Sequence, residues 1–89
     1  MKWTAAASDD LNAIVDYIAE DDPGAALRLL DEIVEKVEEL PENPKAFRRG
    51  RVDGTREFVV RANYVIVYSE NPDLVRILRV LHAARMWPT

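Results

Sequence analysis

Apolar positions recur along the chain with two different periods, and the change of period divides it in two. Leu11, Ile14, Val15 and Ile18 stand at i, i+3, i+4 and i+7, the spacing that lines one face of an α-helix. Ser8 precedes them as an N-cap, with Asp9 and Asp10 placed where the helix dipole favours anions. A helix is therefore predicted from Ser8 until Asp21, Asp22 and Pro23 end it. Asp22 can cap a second helix with Pro23 in its first position, and Leu27, Leu30, Ile33, Val34, Val37 and Leu40 carry that stripe to Pro41. A connection this short makes the pair an antiparallel hairpin. Ahead of it, Lys2 to Ala5 is a short candidate strand.

Beyond Pro41 the punctuation changes. Pro41, Asn43, Pro44, Gly50 and Gly54 break the helical pattern and predict a loop that carries Lys45, Arg48, Arg49 and Arg51. Three strand-like runs follow, Thr55 to Val60, Tyr64 to Tyr68 and Leu74 to His82, separated by the turn signals Ala62-Asn63 and Asn71-Pro72-Asp73. Their short connections imply an antiparallel meander. The two-residue period of a strand places Arg76, Leu78, Val80 and His82 on one face of the last run and Val75, Ile77, Arg79 and Leu81 on the other. By that rule Arg76 and His82 lie together and Arg79 does not. The tail from Arg85 to Thr89 is expected to return across an open sheet face or along its edge. The fold class is α+β, with an N-terminal strand and a two-helix antiparallel hairpin packed on an antiparallel sheet, in the order β-α-α-β-β-β.

Length and composition narrow the function. A chain of 89 residues makes one domain, residues 1–89, and its thin core makes a tightly bound partner matter to its stability. It has no cysteine, so disulfides, thiolate metal sites and cysteine nucleophiles are all excluded, in keeping with a reducing compartment. No apolar run approaches the ~20 residues that span a bilayer, and no basic-then-apolar leader opens the sequence. A cytoplasmic protein without membrane contact is expected.

A net charge of −4 argues at first against an anionic partner. The charge is unevenly placed. Residues 1–44 hold three basic residues against twelve acidic ones, whereas residues 45–89 hold nine against four. The acidic helical half reads as a solvated face, and the arginine-rich half is where an anionic partner docks.

No phosphate loop, dinucleotide fingerprint, zinc spacing or serine-histidine-acid set can be assembled from three glycines, one histidine and no cysteine, and no cofactor or metal is expected. What remains is the run Arg76, Arg79, His82 and Arg85, one residue in three. Arginines around an imidazole could cradle a phosphate and move a proton, as RNA cleavage by its own 2′-hydroxyl requires. Arg61, Arg76, Arg79 and His82 are the candidates for that chemistry. The competing reading has the arginines paired with Glu57, Glu70 and helix carboxylates and His82 structural, since no second titrating partner stands beside it. Phe58, Tyr64 and Tyr68 fall inside predicted strands and read as core rather than as stacking platforms for bases. Trp87, in the tail, is open to either role.

Three segments of the C-terminal half are more specific: Gly50 to Val60 with its Gly54-Thr55-Arg56-Glu57 core, Asn63 to Tyr68, and Arg76 to Pro88. With Trp3-Thr4, Asp10-Leu11, Ile14, Tyr17-Ile18-Ala19, Pro23 and Ala25-Ala26, they resemble the ParE/RelE superfamily of bacterial type II toxin-antitoxin modules over nearly the whole chain. The resemblance implies two helices on a sheet and a cognate antitoxin that wraps and silences the toxin in a hetero-oligomer. A carboxylate-rich antitoxin would suit Arg48, Arg49, Arg51 and Arg56. Met86 departs from the family, whose members often carry Gln before the final aromatic-proline pair.

The superfamily divides between RelE-like ribosome-dependent mRNA endoribonucleases and ParE-like proteins that poison DNA gyrase. This chain ends in Met86-Trp87-Pro88 without the His-Tyr pair of some nuclease members, and its pI near 4.9 suits a protein target better than a polyanion. The expectation is therefore a gyrase inhibitor that is not an enzyme and meets its target through Arg79, Arg85, Met86 and Trp87. The alternatives are an endoribonuclease acting on ribosome-bound mRNA, and an inactive homologue kept as an antitoxin-binding partner.

Overall fold

The structure is a computed structural model that describes residues 2–42, 46–69 and 74–83. Its elements are β1 (Lys2–Trp3), α1 (Ala5–Ala19), α2 (Pro23–Glu38), β2 (Arg48–Arg49), β3 (Thr55–Val60), β4 (Tyr64–Ser69) and β5 (Arg76–His82), with a 3₁₀ turn over Leu40–Glu42. The five strands form one sheet in the order β1-β5-β4-β3-β2. The β2–β3, β3–β4 and β4–β5 pairs are antiparallel as expected; the β1–β5 pair is parallel, so the sheet is mixed.

The cap of helix α1 lies four residues before the predicted one. Thr4 is the cap, its hydroxyl accepting from the Ala7 amide at 3.1 Å, and Ala5, Ala6 and Ala7 extend the helix because alanine is the best helix former. Ser8 thus lies inside the first turns. Asp22 caps α2 as expected, accepting from the Ala25 amide at 3.1 Å with Pro23 behind it. Helix α2 stops at Glu38 rather than Pro41, since Pro41 has no N–H to donate to the Val37 carbonyl, and Leu40 stays buried in the 3₁₀ turn.

Both helices cover one face of the sheet. Leu29, Ile33, Val37 and Leu40 pack there with Phe58, Val60, Ile66, Tyr68, Ile77 and Val80, and each such buried side chain contributes roughly 1.5–3 kcal/mol. Helix α1 packs less completely. Only Ala7 and Leu11 are buried, while Ile14, Val15 and Ile18 remain half-buried because β1 is two residues long and the sheet runs out beneath them. Val65, Val67 and Leu81 form a smaller buried cluster on the opposite face, with Leu78 against it.

The predicted loop from Pro41 to Gly54 holds regular structure among its described residues. It contains the 3₁₀ turn and β2, whose Arg48 and Arg49 pair with Glu57 and Arg56. The other correction concerns β5. Tyr68 pairs with Ile77 but Val67 pairs with Arg79, so Leu78 is an extra residue in a β-bulge. The bulge shifts the alternation: Arg76, Leu78, Arg79 and Leu81 lie on the face away from the helices, and Val75, Ile77, Val80 and His82 on the helical face. Arg79 therefore joins Arg76, and His82 is the one separated, the reverse of the strict two-residue reading. The Asn71-Pro72-Asp73 turn, Lys45 and the tail from Arg85 onward lie outside the described residues.

Candidate functional site

Two places concentrate the residues singled out in the sequence. The first is a groove of about 430 Å³ between the half-packed side of α1 and the end of β5. Ile14, Ile18 and Val80 make its floor, Tyr17 stands 75% exposed at its rim, and Asp9 and Asp10 are at its edge. His82 lines it too, meeting the ring of its cross-strand partner Tyr64 edge-on at 5.7 Å.

The four candidates for phosphate chemistry do not converge. Arg76 and His82 lie six positions apart on one strand, roughly 20 Å at strand rise, and on opposite faces. Arg61 sits in the β3–β4 turn, where its Nε donates to Glu32 of α2 at 3.2 Å. Arg79 is held by Asp10 in a two-pronged pair, Nε to Oδ2 at 2.6 Å and Nη2 to Oδ1 at 3.0 Å. The Asp10 hydrogen bond and its negative charge hold the Arg79 guanidinium above its ordinary pKa, against a smaller opposing effect of burial. Paired arginines match the competing reading of the sequence, with Glu57 and the helix carboxylates Asp10 and Glu32 as partners, while Glu70 lies outside the described residues.

The second place is the opposite edge of the sheet, where Arg48, Arg49, Arg51 and Arg56 lie on β2, β3 and the loop between them, Arg48 on the face of Glu57 and Val67 and Arg49 with Arg56 on the face of Tyr68. Its organiser is Glu57, a carboxylate almost wholly buried on β3. Glu57 accepts from Arg48 Nη2 at 3.3 Å and from the Arg51 backbone amide at 3.1 Å, which ties strand and loop together. Thr55 fixes the same loop, its hydroxyl donating to the Val52 carbonyl and its own carbonyl accepting from the Gly50 amide. The Thr55-Arg56-Glu57 segment is thus a clamp for the basic loop. Arg56 donates to the Phe47 carbonyl at 2.7 Å, and Phe47 stacks at a tilt on Phe58, 4.9 Å between centroids.

Sequence reasoning missed the role of Asp10, reading it as a dipole-favoured residue near a helix start. Its partners lie 69 and 70 residues away, and no local spacing signals them. Phe58 and Tyr68 are buried as core, and Tyr64 is half-buried. Arg85, Met86 and Trp87 lie outside the described residues.

Comparison with known proteins agrees with this architecture. A solved structure described as the chromosomal ParDE toxin-antitoxin system from P. aeruginosa superposes with a TM-score of 0.78 and 32% identity, covering 91% of each chain. Y4kP of Sinorhizobium fredii, named as a toxin, is 42% identical over 89 residues, covering 99% of this chain and 92% of its own. The toxin RelE2 of Caulobacter vibrioides is 42% identical over 86 residues, 94% of each chain. The family model for the ParE toxin of the type II toxin-antitoxin system parDE matches residues 1–87, and with a two-helix hairpin on a five-stranded sheet beneath that match, the chain belongs to the ParE toxin family.

Proposed function

We propose that this ParE-family toxin acts by inhibiting DNA gyrase and is neutralised by an acidic segment of a cognate antitoxin. The supporting observation is the scatter of the nuclease candidates. A ribonuclease needs arginine and a proton carrier at one phosphate, whereas Arg61 and Arg79 are engaged by carboxylates and Arg76 and His82 are a strand length apart on opposite faces. A protein that traps a protein target needs a presented surface instead.

In this reading the target-facing set is Arg79 with Arg85, Met86 and Trp87, Arg79 being fixed in place by Asp10. The antitoxin's carboxylates meet Arg48, Arg49, Arg51 and Arg56, whose concentration along one sheet edge gives a steering field for an acidic chain. Gyrase as target also puts the protein in the cytoplasm. Purified toxin at micromolar concentration should block gyrase supercoiling and raise the level of cleaved DNA complex; unchanged supercoiling and cleavage would end this reading.

The 42% identity to a toxin named RelE2 favours a second reading, cleavage of ribosome-bound mRNA. New mRNA 5′ ends on translating ribosomes after induction would establish it. Absence of growth arrest without antitoxin would instead favour an inactive homologue retained for antitoxin binding.

A further inference from the structure

The outer edge of β5 is closed by side chains where it lacks a strand. β1 opposes only Arg76 and Ile77, and no strand among the described residues flanks Leu78 to His82 on that side. A strand end with no neighbour among the described residues presents backbone groups ready to pair with another chain, while its apolar side chains are already used, Val80 in the main core and Leu81, with Leu78 against it, in the smaller cluster.

Two residues of the first helical turns meet that edge. The Thr4 hydroxyl donates to the Leu78 carbonyl at 3.1 Å, directly after the Thr4 amide has donated to the Ile77 carbonyl at 3.0 Å. Asp10 Oδ2 accepts from the Val80 amide at 3.0 Å, the same oxygen that accepts from Arg79 Nε. The Asp10 side chain is 12% exposed and is shared between the Val80 amide and the fork of Arg79. One donor and one acceptor therefore satisfy successive groups of the edge, as the next residues of a longer β1 would.

We propose that Thr4 and Asp10 are an edge guard, with Asp10 its main member, that keeps β5 from pairing with the same edge of a second copy of this chain. A second copy is the fitting intruder because a two-fold axis brings identical edges together antiparallel, where the backbone amides of each edge meet the carbonyls of the other. With the carboxylate in place, that strand meets an occupied amide and a desolvated negative charge. The proposal stands apart from the choice of target, since self-association of the isolated chain is read without gyrase or ribosome.

Sedimentation of the full chain across a concentration series tests it, with circular dichroism to confirm folding. Asp10→Ala should self-associate at least about tenfold more tightly than the wild type, the effect expected when one buried amide loses its acceptor and finds it on a neighbour. Asp10→Asn keeps an oxygen for the Val80 amide, and Arg79→Ala keeps the carboxylate; both should sediment as the wild type does. A folded Asp10→Ala that associates no more than wild type overturns the proposal, and so does association of Asp10→Asn or Arg79→Ala equal to that of Asp10→Ala. If Asp10→Ala does not fold, amide exchange of the wild type decides: Val80 should exchange at least about tenfold more slowly than an open-edge amide, and an unprotected Val80 overturns the guard.

Discussion

Gly50 lies so close to Thr55 that it has no room for a side chain, and replacing it tests how the basic loop is held. A methyl group there would stand 2.1 Å from Thr55 Oγ, 3.1 Å from its Cβ and 3.2 Å from its carbonyl carbon. Thr55 cannot simply turn away, because its hydroxyl donates to the Val52 carbonyl and its carbonyl accepts from the Gly50 amide at 2.8 Å. Overpacking costs about 1–3 kcal/mol, and the displaced hydroxyl forfeits a further ~0.5–1.5 kcal/mol, so Gly50→Ala should cost about 2–4 kcal/mol. A domain of this size has roughly 4–13 kcal/mol in all. Urea unfolding followed by circular dichroism should show the midpoint falling by roughly 1–3 M. Removing the obstacle should recover part of the loss: Thr55→Ala alone costs about 1 kcal/mol, and the double variant should be more stable than the sum of the two by about 1–2 kcal/mol. Strict additivity, or a Gly50→Ala variant within about 0.5 kcal/mol of wild type, would refute the steric argument.

Three further outcomes can be measured. Arg61 and Ala62 both have positive φ, 54° and 60°, in the β3–β4 turn, so Ala62→Gly should raise stability by about 0.5–1 kcal/mol in thermal unfolding while Ala62→Val lowers it. Glu57→Ala strands the Arg51 amide and the Arg48 guanidinium and should cost about 2–3 kcal/mol in urea unfolding, whereas Glu57→Gln, which keeps an acceptor, should cost about half that. His82→Gln should arrest growth on induction as strongly as the wild type if His82 carries no proton in the toxic reaction. A folded variant that has lost arrest would point to the nuclease reading.

Where the signals are local, the sequence carries them. The Asp22-Pro23 helix start, the Ile33, Val37 and Leu40 part of the second helix's stripe and the three C-terminal strands follow from spacing within a dozen residues, whereas Leu27, read as the start of that stripe, is exposed and Leu29 is buried in its place. What escaped depends on distant partners. Thr4 wins over Ser8 as the helix cap because its hydroxyl also reaches Leu78, 74 residues away. The direction of β1 follows from its pairing with β5, which no property of Lys2 and Trp3 encodes. The bulge at Leu78 inserts one residue into a strand whose polar residues fall at every third position, so no break in alternation marks it, and that single step exchanges the neighbours of Arg79 and His82. For the candidate site, composition located the arginine-rich end but could not separate Glu57, which organises it, from the other acidic residues.

The parallel pairing of β1 with β5 also sets an order of events during synthesis. Lys2 and Trp3 find their strand partners only when Arg76 and Ile77 have been made, and Asp10 must wait for Arg79 and Val80. The helical hairpin and the β3–β4 hairpin are built from neighbours and can form early, while the contacts that seat α1 have the largest sequence separation in the fold. A ribosome that stalls before β5 therefore releases a chain whose α1 has no strand to rest on. The surface around β5 comes into being only after that strand has been made, so translation itself withholds the folded toxin until then.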